Sequence, residues 1–419
     1  MEERWDVVVV GGGLAGLAAA RTVAAAGPRV LVLEAHDVGG RARTSTQEGF
    51  RFNLGPRALY LDGAGHKVLS ALGVEARGGA PRADRAHGLL NGELVRLPGT
   101  TRSLLTTSVL GTRGKVAIAR LLGGGLAKLN PREYAHRTAR AWLDTLRLPA
   151  DAEALVLMLA RVATYTHAPD LVSADVVIGQ LQLALGAGVR YLDGGWQTLV
   201  DALATDLVIE TAIVKAIESS DEDVVVHTDG GPVHARAAVL AVNSPQAASG
   251  LLIDHRGFDV GPPVEAVCLD LGLRRPPDPP VVFGVDAPLY LSTHCPPADL
   301  APPWAHAAGT AVVHALRYLA PTETTTVHDD QHDLDTVVSA AGITEADVVT
   351  RRFLRRMTVT SVLPTADRGG LAGRPGPAVA EHPGVFVAGD WVGPVGMLAD
   401  ASLSSAVAAA RLAIDRARV

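Results

Sequence analysis

Cysteine, lysine and aromatic side chains are scarce in this 419-residue sequence. Cys268 and Cys295 are the only cysteines, and neither stands in a metal-ligand or C-x-x-C spacing. That excludes a disulfide framework and a sequence-encoded zinc site, and it leads us to expect a reducing, cytoplasmic setting. Lys67, Lys115, Lys128 and Lys215 are the only lysines, so arginine carries nearly all the positive charge. The net charge of −6 offers nucleic acid no electrostatic footing. No apolar stretch is long enough to span a bilayer. The acidic start Glu2-Glu3 runs almost directly into an apolar strand, so no secretory leader is expected. His328 and His332 sit at i, i+4, but nothing around them supplies the pattern of a zinc enzyme, and no metal is expected. What is present, 48% apolar and 20% charged residues, describes an ordered protein large enough for two domains.

The most informative stretch is Asp6 to Glu34. Asp6-Val7-Val8-Val9-Val10 has the length and composition of a buried strand. Gly11-Gly12-Gly13-Leu14-Ala15-Gly16 follows at once, and an Ala- and Leu-rich helix runs on until Gly27-Pro28. Arg29 to Leu33 is a second apolar strand ending at Glu34. This is the order a dinucleotide needs. Gly11 permits the turn, Gly13 clears the way for a pyrophosphate, and Gly16 lets helix and sheet pack closely. The free N–H groups of Leu14 and Ala15 at the helix start receive phosphate charge. Glu34 is placed for ribose hydroxyls and disfavours a 2′-phosphate. Beyond it, Ala35 leads to a second glycine pair ending in Gly40, with Arg41 as a counter-charge.

GGGLAG followed by LEAHDVGGRA resembles the opening of the FAD-dependent group containing amine oxidases, protoporphyrinogen oxidase and phytoene-type desaturases. The appearance is closest to the desaturase branch. The resemblance implies an α/β fold: a Rossmann-like FAD-binding domain of the glutathione-reductase type with an inserted α+β substrate domain. The boundaries expected are 1–75, 190–250 and 375–419 for the FAD-binding part, and 76–189 and 251–374 for the substrate part. FAD is the expected cofactor. The stretch Gly55-Pro56-Arg57 then corresponds to a passage beside the isoalloxazine ring. Arg57 is the first candidate for a charged catalytic group and Tyr60 the second. Val214 matches a valine whose backbone meets the adenine, and Asn243 falls at the carboxyl edge of a strand.

A second signature closes the chain. A strand from Gly384 ends at Gly389-Asp390, where the carboxylate suits a ribityl hydroxyl, and Gly396, Met397 and Ala399 lead to a helix from about Leu403. Between the two signatures, Gly88 to Leu97 reads as a hairpin around Asn91-Gly92. The later strands suggest an antiparallel sheet covering the flavin. Residues 102–128 are basic and apolar with no Asp or Glu, which fits either a helical pair over the substrate domain whose arginines face water or pair with distant carboxylates, or a surface touching anionic lipid. Arg351, Arg352, Arg355 and Arg356 offer a group for an acidic substrate.

Absences narrow the chemistry again. No second complete G-x-G-x-x-G exists, so a separate nicotinamide domain is not expected. No lysine follows Lys215, whereas flavin amine oxidases commonly place one near N5, and of their aromatic pair only Trp391 is evident. The expectation is therefore a desaturase-like enzyme that takes hydride from a largely apolar small molecule and forms C=C. A flavin amine or amino-acid oxidase, a double-bond isomerase and a non-catalytic flavoprotein are the alternatives. The electron acceptor, oxygen or a quinone, stays open.

Overall fold

The computed structural model describes residues 4–99, 101–302 and 309–418; Glu2 and Glu3 lie outside them. Strand β1 (Trp5–Val10), helix α1 (Leu14–Ala25) and strand β2 (Val30–Glu34) form where the alternation of apolar strand, glycine turn and Ala-rich helix requires them. β1 pairs in parallel with β2 on one side and with Gly231–Leu240 on the other. Val208–Thr211 extends the sheet beyond β2, and Val385–Val387 pairs in parallel with Gly231–Leu240.

Both faces of this sheet are covered, which is why its strands are apolar throughout. Val7 and Val9 pack under α1, Gln197–Ala204 and the final helix, Leu398–Ala417. Val8 and Val10 face a second layer containing Ile217, Val226 and Trp391. Ala18, Ala19, Ala406, Ala409, Ala410 and Ala413 are fully buried. Short side chains there let α1 and the final helix approach closely.

The second large sheet runs in the order Val348–Thr360, Val264–Leu273, Ala311–Tyr318, Leu289–Cys295, Val281–Gly284, Ala86–Leu90 and Glu93–Arg96. It is not wholly antiparallel as expected, because Val281–Gly284 pairs in parallel with Ala86–Leu90. The hairpin at Asn91-Gly92 forms as anticipated, both residues taking the positive φ that its tight turn demands. Gly231–Leu240 is one continuous strand that begins inside the Asp229-Gly230-Gly231 turn, whereas Val281–Gly284 and Leu289–Cys295 are separate strands. Turn residues alone do not reveal whether a neighbouring strand continues the ladder across them.

The basic segment 102–128 turns most of its apolar side chains inward. Leu110, Ile118, Leu121 and Leu126 are buried in the helical core, while Leu105 and Val116 remain exposed. Among the described residues no helix is long and apolar enough to cross a membrane.

Arg351, Arg352, Arg355 and Arg356, expected to offer a group to an acidic substrate, are instead paired with carboxylates of the protein: Glu345, Asp270, Asp330 and Glu265, respectively. Asp330 is fully buried at the start of helix Val327–Ala340, where it accepts from Arg317, Arg355 and Thr325, each at 3.0 Å. Asp330→Ala removes the shared acceptor of two guanidinium groups. We expect it to cost about 3–5 kcal/mol, the usual penalty for breaking a buried charge pair, measured by urea unfolding. A loss below about 1 kcal/mol would show that Arg317 is fully served by Glu323 and Asp333, and Arg355 by the Thr325 carbonyl.

Candidate active site

The glycines behind β1 are used as their spacing implies. Gly11 has φ +108°, and a Cβ there would stand 2.5 Å from the Ala241 carbonyl oxygen. At Gly16 a Cβ would fall 1.8 Å from the Gly11 oxygen, so this glycine serves packing and does not line the cleft. Gly13 differs. A Cβ there meets nothing nearer than the Gly39 oxygen at 4.0 Å, and it would protrude into open space. Gly13 is also the N-cap of α1, without a side-chain cap and with no acidic residue in the first turn. The first N–H groups of α1 are therefore left for an external anion. The Gly39 N–H donates to the Gly12 oxygen at 2.7 Å, which lays the second glycine pair against the first loop.

A cleft of about 530 Å³ follows this surface. At one end lie Glu34, Ala35, His36, Ile213 and Val214; further along come Gly11, Gly13, Leu14, Ala15, Gly40 and Arg41. The other end carries Arg57, Trp196, Asn243, Asp390, Leu398, Ala399 and Ser402. The Glu34 carboxylate is already oriented, accepting from the N–H of Gly12 at 2.6 Å and of His36 at 3.0 Å.

Arg41 does not stand free as a phosphate counter-charge. It donates to Asp390 Oδ2 at 2.7 Å and more weakly to the Val359 carbonyl and the Ser361 hydroxyl. Burial works to raise the Asp390 carboxyl, but the Arg41 charge and the Ser361 N–H outweigh it and hold it below the usual carboxylate range. Oδ1 of Asp390 is buried without a hydrogen-bond partner among the described residues. One oxygen is spent on the ion pair, and the other suits a hydroxyl of a bound molecule.

A second, smaller chamber of about 50 Å³ shares Leu54, Arg57, Trp196, Val359, Leu398 and Ala399 with the cleft. Pro56, Leu59, Tyr60, Tyr165, Met357, Met397 and Asp400 complete its wall. That space equals a few water molecules. The Arg57 guanidinium carbon lies 5.7 Å from the Trp196 ring centre. Burial first, then the like charge of Arg41, push this guanidinium down to about 10. No carboxylate pairs with it among the described residues, and its Nε is buried without a partner. Tyr60 donates to the Ala163 carbonyl at 3.2 Å, and burial raises its phenol and that of Tyr165.

Most of the candidates meet in these two spaces. Gly55, Gly389 and Gly396, like Gly16, do not. A Cβ at Gly55 would strike Met357, Gly389 exchanges hydrogen bonds with Ser405, and Gly396 gives its carbonyl to Arg374. Trp391, the one aromatic expected beside the ring, is fully buried 4.8 Å from Phe258 on the far layer. Besides the expected Tyr60, the aromatics that line the site are Tyr165 and Trp196, neither of them singled out from the sequence. Trp196 follows Gly194-Gly195, and that pair was the available signal. The final helix begins at Leu398 rather than near Leu403, which brings Asp400 into its first turn. Cys268, Asp270 and His314 also converge, but Asp270 is already shared between His314 at 2.5 Å and Arg352. Its charge is met without a metal ion.

A family model described as flavin containing amine oxidoreductase matches residues 14–266, more than half the chain. A putative flavin-containing monoamine oxidase, AofH, of Mycobacterium tuberculosis is 30% identical over 264 residues, 57% of this chain and 56% of that protein. A phytoene dehydrogenase of Streptomyces griseus is 35% identical over 147 residues, 33% of this chain and 25% of that one. The chain thus spans about half the length, or less, of these curated relatives. In fold it is similar to an oxidoreductase from Methanosarcina mazei, with a TM-score of 0.74 over 96% of this chain and 98% of the other at 16% identity.

Proposed function

The chain belongs to the flavin containing amine oxidoreductases and is an FAD-dependent oxidoreductase; from that premise we propose that it dehydrogenates a compact, largely apolar substrate bearing an anionic group, forming a double bond. The observation that carries this reading is Arg57, a half-buried guanidinium without a carboxylate partner where cleft and chamber meet. A bare ammonium substrate would meet a like charge there; a carboxylate would find its complement. The chamber's small volume argues for a short substrate over a long polyene. An amino-acid oxidase is the second reading, favoured by the same guanidinium together with the likeness to a monoamine oxidase.

In this proposal the FAD-holding unit comprises 1–75, 190–250 and 375–419, and the substrate unit 76–189 and 251–374. Glu34, Ala35 and Val214 would hold the adenosine end. Gly11, Gly13, Leu14, Ala15 and Gly40 would hold the phosphates, with Arg41 acting chiefly to orient Asp390. Asn243, Asp390 and Ala399 would hold the remainder. Bound FAD supplies a two-electron acceptor at its N5. The protein's part is to orient the substrate through Arg57 and to exclude water with Leu54, Leu59 and Met397. Tyr60 and Tyr165 keep their protons, since burial raises both phenols, so they contribute shape and hydrogen-bond donation rather than basicity.

Anaerobic mixing of the yellow protein with paired short apolar acids and their neutral esters, alongside amino acids and simple amines, tests this. Bleaching by the acids and weakly by their esters supports it; bleaching by simple amines alone overturns it. Arg57→Met should raise KM for the acid by about 10- to 100-fold, the worth of one charged hydrogen bond, with kcat less affected. An unchanged KM would remove Arg57 from the substrate site.

A further inference from the structure

Forming a double bond releases a proton as well as a hydride, and the chamber contains one group able to take it. Asp400 is the only carboxylate among the residues lining the chamber. Its side chain is 3% exposed, and its surroundings are shaped around it. A Cβ at Gly63 would stand 2.5 Å from both carboxylate oxygens, one at Gly65 would lie 2.8 Å from Oδ1, and one at Gly396 would lie 2.6 Å from the Asp400 Cβ. Oδ1 accepts from the Gly65 N–H at 2.7 Å, which caps α2 (Ala64–Ala71). That cap accounts for one oxygen only. Oδ2 is buried with no hydrogen-bond partner among the described residues.

We propose that Asp400 is the catalytic base of the dehydrogenation, receiving the substrate's proton on Oδ2. The inference rests on the double-bond-forming reading above. The substrate gives up a hydride from one carbon, with its electron pair, to FAD, and a proton from the adjacent carbon to Asp400. The electron pair left by the departing proton becomes the π bond. The substrate is oxidised by two electrons, FAD is reduced by two, and the carboxylate becomes a carboxylic acid.

The other candidates for this task are already committed. Asp390 is held by Arg41 and Ser361, and the neighbouring tyrosines stay protonated. The charged and titratable groups facing Asp400 are Lys67 and His66 on α2, Tyr60 just before it, and Arg57 and Tyr165 on the chamber wall. Burial raises the Asp400 carboxyl to about 6, against the lowering pull of the Gly65 N–H, Lys67 and His66. A carboxylate so placed is ionised at neutral pH yet basic enough to take a proton.

The experiment compares the FAD-loaded wild type with Asp400→Asn. Anaerobic bleaching by the acid substrate should slow by about 10²- to 10⁴-fold in the variant, with the bound-flavin spectrum retained. The wild-type rate should climb as pH rises through about 6, and the variant's should be flat. A readout independent of turnover is the infrared carbonyl band of a buried carboxylic acid, which should titrate near 6 in the wild type and be missing from Asp400→Asn. A residue serving only as a cap would lower stability in the variant and leave the bleaching rate unchanged, and that result overturns the proposal. Should the variant not fold, a wild-type rate independent of pH between about 5 and 7, or a carboxyl titrating in its ordinary range near 4, overturns it equally. Bleaching of the wild type by simple amines alone defeats the dehydrogenation reading itself; bleaching by the acids at equal rates in both proteins defeats only the base.

Discussion

Gly16→Ala is expected to emerge from purification colourless, with less than about a tenth of its flavin sites filled. The added methyl would sit 1.8 Å from the Gly11 carbonyl oxygen and 3.3 Å from the Ala241 Cβ. Neither neighbour is a flexible side-chain tip. Gly11 is held in its turn by the N–H it donates to Leu33 at 2.8 Å, and Ala241 by the N–H it donates to Val10, also at 2.8 Å. Helix α1 must therefore back away from β1. Overpacking of this kind costs about 1–3 kcal/mol in stability, and here it also moves the α1 N–H groups that we propose receive the pyrophosphate. Gly13→Ala supplies the contrast, since its methyl points into open space. That variant should keep the apoprotein's Tm and lose FAD affinity alone. Full flavin occupancy in Gly16→Ala, read from absorbance of the denatured supernatant, would contradict the role of this glycine.

Asp390→Ala is expected to lose about 3–5 kcal/mol of stability, because it strands the largely buried Arg41 and leaves the Ser361 N–H without its acceptor. Asp390→Asn should lose less, retaining an oxygen for both donors. The pH dependence has a definite sign. The folded carboxyl lies below its ordinary value, so its stabilising contribution is present above about 4 and disappears as pH falls through the folded value. Urea unfolding of the wild type should show that acid loss, and Asp390→Asn should flatten it. Equal acid slopes in the two proteins would mean that the Arg41 pair contributes nothing to folding.

The distribution of partners explains which parts of the site were legible beforehand. The turn from β1 into α1, the second glycine loop and the Asn91-Gly92 hairpin are short-range features, each dictated by φ and by apolar period. Arg41 and Asp390 could each be picked out by residue type, but their mutual contact spans 349 positions and redirects Arg41 from phosphate to carboxylate. The arginines between 351 and 356 looked available because their carboxylates lie as far away as Asp270 and Glu265. Trp391 drew attention through its place after Gly389-Asp390, yet it turns into the layer that holds Phe258. Tyr165 stood in no motif and Asp400 at the end of the closing one without a role of its own; both became visible as walls of one chamber.

By itself the amino-acid order determined the strand, glycine turn, helix and strand of β1, α1 and β2 that suit a dinucleotide, because glycine at set intervals, apolar strands and a terminal carboxylate admit few other structures. Only the tertiary structure decided which charges remain unspent. Along the cleft and chamber, Arg57 and one oxygen each of Asp390 and Asp400 lack a partner among the described residues. Pairing is a property of distance in space, and a buried group without a partner is where a ligand's chemistry has to enter.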